Sequence, residues 1–376
     1  MDFLLTEPLE LVKEYFMGFD KLWSRKEQRE NFEKSVMGFL SDTHRKNIER
    51  ISEKIISQDY QNLHHFMTTS PWSKEDMNEL RISLVKKSNS FPKRNACLIF
   101  DDSGVMKRGH ATENVSPQYI GQVGKVANGN VFVTSHLANN KKHTPLDIEM
   151  FKPRDREKPD KEGQHRRKID IAIDLVRRTV ERNIEFKYVI ADAWYGSSPD
   201  FIDYLESSGI TYIVSIKSNR KIFYKFPNEQ RSLEYKLSEI LPLIKQEQFR
   251  PIEIPLSDGT KLKKYYVRMD LKVKGLVGKR RIIIESDRVT DLENADIQYY
   301  LSNAVMLRDA NIIRQYHLRN WIEVFYREVK DLIGADDYQV RSMERVMRHW
   351  ILCFVAYSLI QWLQHGNLLR TLVKKK

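Results

Sequence analysis

Two aspartates follow short apolar runs of the kind that form strands buried on both faces. Asp101 comes directly after residues 96–100, and Asp192 comes directly after residues 188–191. In open α/β sheets, ligands bind beyond the carboxyl ends of the strands. Carboxylates from two neighbouring strands could therefore share a divalent metal ion, although an aspartate that merely begins a turn gives the same local pattern.

A third carboxylate lies in a segment with helical periodicity near the C-terminus. At about 100° per residue, the polar side chains of this segment fall within about 80° of one another on a single helix. They are Tyr316, Arg319, Glu323, Arg327 and Lys330. The opposite side is the predicted core face, with Leu318, Trp321, Ile322, Phe325, Val329 and Leu332. An amphipathic helix with a solvated stripe would look the same, but cations around one carboxylate also suit a phosphodiester, whose oxygens they neutralise.

The elements around the two aspartates predict an α/β fold. Residues 169–183 and 199–207 have the periodicity of helices, and residues 210–216 form a third short apolar strand. Strands that alternate with helices imply parallel strands joined by crossovers.

The segment after Asp101 predicts a hairpin. Residues 119–126 and 131–138 have the composition of strands, and Asn128-Gly129 between them is a strong hairpin signal. Residues 140–165 are polar, basic and proline-containing, so we expect a loop there.

The first 90 residues are predicted to be helical, because apolar residues recur at three- and four-residue spacing in residues 9–19, 32–40 and 48–56. A further helix is predicted to begin at Ser70 or at Ser73. Basic residues in this region are interpreted as a solvated face, with DNA-end binding as the alternative; they are Arg45, Lys46, Arg50 and Lys54. Residues 220–295 alternate in hydrophobicity and predict antiparallel strands, and from about Asn311 we expect helix to near the C-terminus.

Composition narrows the class of protein. The formal charge of +12 over 376 residues makes a polyanionic partner plausible. Only two cysteines occur, far apart, which excludes a disulfide scaffold and a cysteine zinc site.

The N-terminus has no signal-peptide pattern, and the longest apolar-rich segment, residues 350–363, is shorter than the ~20 residues of a membrane helix. We therefore expect a soluble, intracellular protein with no membrane partner.

The histidines do not show metal-ligand spacing, and we expect no metal site at His64, His65, His143 or His317.

At this point the residues match a known family. Tyr316, Arg319, Glu323 and Lys330 have the spacing of the Y-R-E-K signature of DDE transposases from bacterial insertion sequences. Residues 98–104 resemble the first-aspartate strand of these enzymes, and residues 189–196 resemble their second-aspartate motif. Residues 107–109 and 118–125 are similar to the DDE superfamily endonuclease branch. The resemblance extends from about residue 60 to about residue 365.

The resemblance implies a cut-and-paste transposase with an RNase H-like catalytic core. Asp101, Asp192 and Glu323 would be the catalytic and metal-binding residues, with two Mg²⁺ ions that Mn²⁺ could replace. Arg319 and Lys330 would bind phosphates of the transposon end and Tyr316 would position the backbone near the cut. Arg327, outside the signature, is a further candidate for DNA contact.

The implied partners are double-stranded DNA, as terminal inverted repeats and as target, and a second copy of the chain in a synaptic dimer. The implied location is the cytoplasm, at the nucleoid. The corresponding organisation has four parts. They are a helical domain over residues 1–90, for which DNA binding is a possible function, a catalytic core over 91–219, a β-rich insertion over 220–295, and a C-terminal helical part over 296–376 that completes the core.

Several alternatives stay open from the sequence. Asp101 and Asp102 are adjacent and must point to opposite sheet faces, so only one is a ligand, and the family pattern favours Asp101. A nuclease that cuts without joining and a non-catalytic DNA-binding derivative are the rival functions. The terminal repeat, the target preference and the excision route are not determined.

Overall fold

A computed structural model describes residues 3–54, 59–154, 166–226, 229–255 and 260–365. Contacts divide the chain into two compact units. The first consists of Met1–Lys93, Asp102–Ile171 and Trp321–Lys376, and the second of Arg94–Asp101 and Ala172–Asn320. The fold is mixed α/β, as predicted. The four domain boundaries predicted from the sequence remain a prediction.

The α-helices of the described ranges are α1 Phe3–Met17, α2 Lys26–Phe39, α3 Ile48–Lys54, α4 Tyr60–Thr68, α5 Lys74–Lys87, α6 Lys168–Glu181, α7 Ala193–Gly196, α8 Pro199–Ser207, α9 Leu237–Ile240, α10 Asp309–Tyr316, α11 Asn320–Asp331 and α12 Met343–His365. The strands are β1 Cys97–Met106, β2 Ser116–Ile120, β3 Lys125–Ala138, β4 His143–Met150, β5 Tyr188–Ala191, β6 Tyr212–Ser215, β7 Lys221–Tyr224, β8 Leu233–Lys236, β9 Arg250–Pro255, β10 Lys261–Val273, β11 Lys279–Ser286 and β12 Ile297–Ser302.

The predicted N-terminal helices are present in the first unit as α1 to α5. The start of α5 is at Ser73, whose hydroxyl accepts a hydrogen bond from the backbone N–H of Asp76 at 3.0 Å, and not at Ser70. One basic residue of this region is not on a solvated face. Lys46 is buried, and its ammonium donates hydrogen bonds to the carbonyls of Phe39 and Ser41 at 2.7 and 2.5 Å.

The last helix, α12, is the centre of the first unit's core. It is long and apolar enough to cross a membrane, so the prediction that no segment of the chain reaches the length of a membrane helix was wrong. The most apolar stretch of α12 is 83% buried, however, within a core that includes Phe32, Phe66 and Trp350. The apolar length is therefore explained by packing inside the protein, and this helix is weak evidence for a membrane span.

Three predictions around β1 to β4 were wrong. β1 does not stop at Asp101 but continues to Met106. The chain turns at the 3₁₀ helix Gly121–Val123 and at Gly124 (φ +64°), whereas Asn128-Gly129 lies inside β3, opposite residues 116–117 of β2. The predicted loop over 140–165 contains the buried strand β4, which pairs with β3; residues 155–165 lie outside the described ranges.

Gly129 shows why a turn signal occurs inside a strand. A side-chain carbon added there would overlap the carbonyl oxygen of Val105 in β1. Glycine is thus needed for the close approach of the β1 and β3 backbones rather than for a turn.

The second unit is built on one mixed sheet. The first half of β1 pairs in parallel with β5, and β5 pairs in parallel with β6, which confirms the predicted crossovers. The order continues through β12, β11, β10, β7 and β8, and β9 pairs with β10. The strands of residues 220–295 are antiparallel, as predicted. The sequence did not reveal β12, which joins them to β6 and makes the sheet continuous.

The C-terminal region is less continuous than predicted. A 3₁₀ turn, His317–Arg319, separates α10 from α11, so one regular helix does not run through the polar stripe. After α11 the chain leaves the helix at Gly334 (φ +73°), and α12 begins only at Met343. Leu332 lies beyond the end of α11 and is 63% exposed, so its assignment to the core face was wrong.

Candidate active site

Asp101 and Asp192 occupy equivalent positions on neighbouring parallel strands of the second unit. The register pairs Phe100 with Ala191, and each aspartate is the next residue along its strand. Asp192 therefore follows the carboxyl end of β5, where ligands of open α/β folds bind, and Asp101 lies beside it on β1, which continues to Met106. This juxtaposition was predicted from the sequence.

Asp192 is held at the N-terminus of α7. Its Oδ1 accepts hydrogen bonds from the backbone N–H groups of Trp194 and Tyr195, at 2.9 and 3.2 Å. Its Oδ2 accepts no hydrogen bond from the part of the chain that the structure describes. One oxygen thus fixes the carboxylate, and the second remains for another ligand.

Gly196 allows this arrangement. A side-chain carbon at Gly196 would overlap the carbonyl oxygen of Ser215 in β6. The short helix can therefore pack directly against β6 only with glycine at this position, and that packing places Asp192 at the end of β5.

Asp101 is paired with an arginine of the predicted signature. Arg319 Nη2 donates to Asp101 Oδ2 at 2.8 Å, and the two side chains are only 20% and 12% exposed. Asp102, the alternative candidate, pairs instead with Lys168 at 2.7 Å, in the first unit. Each carboxylate thus has its own cation, and Lys168 is a contact that the sequence analysis missed, since nothing local links it to Asp102.

Tyr316 interacts electrostatically with both aspartates. Burial raises its pKa to about 12, and the charges of Asp192 and Asp101 act in the same direction, while Arg319 and a hydrogen bond with Ser215 oppose them. The hydroxyl therefore stays protonated at neutral pH and can donate a hydrogen bond but cannot serve as a base. Tyr316, Arg319 and the two aspartates form one cluster in the second unit.

The rest of the predicted stripe belongs to α11 in the first unit. Glu323, Arg327 and Lys330 share one face of this helix, with Glu323 and Arg327 exposed. Lys330 is partly buried, which lowers the pKa of its ammonium, and its Nζ donates to the carbonyl of Gly104 at 2.9 Å. The stripe is thus not uniformly solvated.

The donor set fits a hard divalent cation. Among the described residues no three His, Cys, Asp or Glu side chains form a ready-made metal site. The two carboxylates of the second unit nevertheless offer oxygen ligands from adjacent positions of neighbouring strands, and within the described ranges Asp192 retains an oxygen without a hydrogen bond. Carboxylate oxygens are the ligands that Mg²⁺ and Mn²⁺ prefer.

The histidines have other partners. His143 stacks on Trp321, with ring centroids 4.3 Å apart, and its Nδ1 lies 2.9 Å from Nε2 of His136. His317 Nε2 lies 3.3 Å from a carboxylate oxygen of the buried Glu285. The ring of His64 lies tilted against that of Tyr60 in α4, with centroids 5.6 Å apart.

Comparisons with known proteins identify the family of this chain. A family profile described as "DDE superfamily endonuclease" matches residues 14–238, and one described as "Transposase DDE domain" matches residues 161–359. The chain is 29% identical over 357 residues to a probable transposase for insertion sequence element IS701 from Microchaete diplosiphon, with 92% of this chain and 86% of that protein covered. Among solved structures, the NurA nuclease from Sulfolobus solfataricus matches at 9% identity over 69% of this chain and 81% of that chain, with a TM-score of 0.25.

Each family profile covers more than half of the chain. The protein therefore belongs to the DDE superfamily of endonucleases and carries a transposase DDE domain. It is an enzyme of the DNA transposase class, and its family generally uses divalent metal ions.

Proposed function

We propose that this enzyme cleaves DNA at the ends of its own insertion sequence and joins those ends to target DNA in cut-and-paste transposition. The observation that carries the proposal is the pair Asp101 and Asp192, at equivalent positions of neighbouring parallel strands, with Arg319 bound to Asp101. Two carboxylates and a cation in one cluster suit a metal-assisted reaction at a phosphodiester.

In this proposal Asp101, Asp192 and Glu323 hold two Mg²⁺ ions, for which Mn²⁺ can substitute. When bound, the ions supply Lewis-acid stabilisation of charge at the scissile phosphate. Asp101 is favoured over Asp102 because the register of β1 and β5 places Asp101, and not Asp102, level with Asp192. Glu323 belongs to the first unit, so its role as third ligand rests on the family resemblance.

The remaining signature residues would act on the DNA. Arg319, Lys330 and Arg327 would bind phosphates of the transposon end, because guanidinium and ammonium groups neutralise phosphate oxygens. Tyr316, protonated at neutral pH, would donate a hydrogen bond to the backbone near the cut. Water would attack the scissile phosphodiester and release the 3′-hydroxyl of the transposon end. That hydroxyl would then attack a phosphodiester of the target, forming a new P–O bond as the target's own 3′-oxygen leaves as a hydroxyl.

The organisation that would accompany this function is an RNase H-like core with a β-rich insertion and an N-terminal helical domain, for which DNA-end binding is the alternative to a solvated face. The DNA partners are terminal inverted repeats and target duplex. Two copies of the chain would pair two ends as a homodimer, in the cytoplasm at the nucleoid. The parallel order β1, β5 and β6 supports the RNase H-like core.

The test uses purified protein, Mg²⁺ and labelled duplexes from the DNA that flanks its gene. We expect cleavage followed by joining to a target plasmid, both lost in Asp192→Ala. Asp102→Asn is the matched control and should retain most of the activity.

Other outcomes would identify the rival functions. Cleavage without joining would indicate a nuclease. End binding that is equally tight in wild type and Asp192→Ala, without cleavage in either, would indicate a non-catalytic DNA-binding protein. Loss of activity in Asp102→Asn but not in Asp101→Asn would assign the ligand to Asp102.

A further inference from the structure

An open pocket lies beside Asp192 in the second unit. Its volume is about 420 Å³, and its wall includes Ala193 and the residues that follow β6. This volume falls in the range of about 300–1,000 Å³ typical of ligand pockets. Nothing in the proposed chemistry uses the pocket.

Two residues of the pocket lining adjoin the candidate catalytic cluster. Ala193 is the residue after Asp192, and Ser215 makes the hydrogen bond with Tyr316. A group bound in the pocket would therefore lie next to the reacting phosphodiester.

The lining combines one cation and several polar side chains with apolar ones, among them Ile216 and Ile297. Lys217, Ser218 and Asn219 are exposed, and the Lys217 ammonium has no hydrogen bond or ion pair within the described ranges. The turn that carries them is fixed, because the Lys217 carbonyl accepts from the N–H of Arg220 at 3.0 Å and the Ser218 carbonyl accepts from the N–H of Ser238 at 2.9 Å. An uncompensated cation on an ordered turn suits an anion such as a phosphate.

An aromatic side chain is close by along the chain. Trp194 follows Ala193 and is 44% exposed, although most large apolar side chains of this unit are buried. Its backbone N–H is held by Asp192, and its ring meets Tyr195 edge-on, with centroids 4.9 Å apart. An exposed indole one residue along the chain from the pocket lining, together with the Lys217 ammonium, suits binding of a base and its phosphate.

We propose that this pocket binds the nucleotide that adjoins the scissile phosphate, with Lys217 bound to its phosphate and the Trp194 ring packed against its base. This inference rests on the proposed function, since it takes cleaved DNA as the ligand. It adds a contact on the substrate that lies outside the four-residue signature.

The first experiment measures the phosphate contact. Binding of a pre-cleaved end duplex is followed by fluorescence anisotropy over a series of salt concentrations, without divalent metal. We expect Lys217→Ala to weaken binding and to reduce the slope of log K against log salt by about 0.9, the value for one lost phosphate contact. Lys217→Arg should retain the wild-type slope. Lys279→Ala, which changes an exposed lysine of β11, is the control for general charge; a slope change equal to that of Lys217→Ala would overturn the inference.

The second experiment measures the base contact. Removal of the base at the nucleotide next to the cut should weaken binding by about tenfold, the order expected for one stacked base. Trp194→Ala should cause a similar loss, and the combination should cost little more than either change alone. If the losses in binding from base removal and from Trp194→Ala instead multiply, the base and the Trp194 ring act independently, and the inference is wrong. Unchanged thermal unfolding of each variant would show that the fold is retained.

The two proposals can fail separately. If the wild type cleaves and joins end DNA while Lys217→Ala and Trp194→Ala behave like the control, the pocket inference is wrong and the transposase function stands. If the wild type binds end duplex no better than random duplex, the proposed function fails, and the pocket inference fails with it.

Discussion

At the scale of single residues, the Arg319 guanidinium has two anionic partners, one in the protein and one in the proposed complex with DNA. In the protein alone it neutralises Asp101, and in the proposed reaction it would bind a phosphate. A carboxylate that is mostly shielded from water needs a positive partner. In the metal-free protein the Arg319 guanidinium is such a partner, and a bound metal ion would take over part of this role. Binding of metal and DNA would then free Arg319 from Asp101 to contact a phosphate.

This predicts how Arg319→Ala changes stability. Loss of a charge-assisted hydrogen bond to a mostly buried carboxylate should cost about 1–3 kcal/mol in the metal-free protein. Added Mg²⁺ should recover part of that loss, because a divalent cation replaces the missing charge. Thermal unfolding with and without Mg²⁺ measures both effects.

Arg314→Ala is the matched control, since Arg314 is an exposed arginine on the neighbouring α10. It should change neither the unfolding temperature nor the response to Mg²⁺. If Arg319→Ala were as stable as this control in the absence of metal, the Asp101–Arg319 pair would contribute nothing to the stability of the fold.

The site was largely predictable from residue types and spacing, but not its pairings. Strand-end position found Asp101 and Asp192, and the signature found Tyr316 and Arg319. The contact between Lys168 and Asp102 joins residues 66 positions apart and has no local signal. The pairing of Arg319 with Asp101, across 218 positions, likewise depends on the tertiary fold.

At the scale of elements, local turn chemistry misled where backbones approach closely. Asn128-Gly129 has the composition of a hairpin turn, yet it pairs with β2 inside β3. The real turn uses Gly124, whose left-handed backbone is the conformation that glycine adopts at low cost. A single sequence does not distinguish a glycine that is required because its φ is positive from one that is required because a side chain would collide with a neighbouring backbone.

Gly129→Ala tests this distinction. Because the new side-chain carbon would overlap the Val105 carbonyl, β1 or β3 must shift, and we expect a loss of about 1–3 kcal/mol in the free energy of unfolding. Gly121→Ala is the control: its surroundings are open and its φ is not positive. Urea unfolding of both variants provides the measurement, and equal stability would contradict the close-approach explanation.

Other elements were predictable for definite reasons. The bounds of β5 and α8 follow from a continuous apolar run and from a proline at the helix start, both local features. β4 was missed because its polar residues are satisfied by distant partners, as when Asn78 of α5 donates to Asp147 at 2.9 Å. The 3₁₀ turn before α11 was missed because a uniform 100° step assumes an unbroken α-helix.

At the scale of the whole molecule, the first unit's core depends on a buried neutral histidine. His349 of α12 lies 3.0 Å from the carbonyl of Gly334 through its Nε2 and packs edge-on against Phe39. Burial lowers the pKa of His349 to about 4. The imidazole is therefore uncharged in the folded protein at every pH at which the enzyme would work.

Global unfolding should accordingly depend on pH. Between about pH 6.5 and pH 4 the unfolded chain takes up a proton at His349 that the folded protein does not, so stability falls as the pH falls through this window. The contribution amounts to about 3 kcal/mol when complete. In His349→Gln that part of the acid sensitivity should be absent, as measured by urea unfolding at a series of pH values.

His65→Gln is the control, because His65 is an exposed histidine of α4 in the same unit. Its stability should follow the wild-type pH curve. Parallel curves for wild type and His349→Gln over this window would show that His349 is not held neutral by the fold.

The first unit is assembled from both ends of the chain, and this has a consequence for synthesis on the ribosome. Its core joins Phe19 and Phe32 to Leu352 and Leu359, and the hydroxyl of Tyr15 donates to the carbonyl of Val355, 340 residues later. At about 5–20 residues per second, the N-terminal helices wait some tens of seconds for α12, the partner that covers them. A nascent chain that terminates early cannot bury this surface, so prematurely ended translation products would be targets for chaperones and proteases rather than partial transposases.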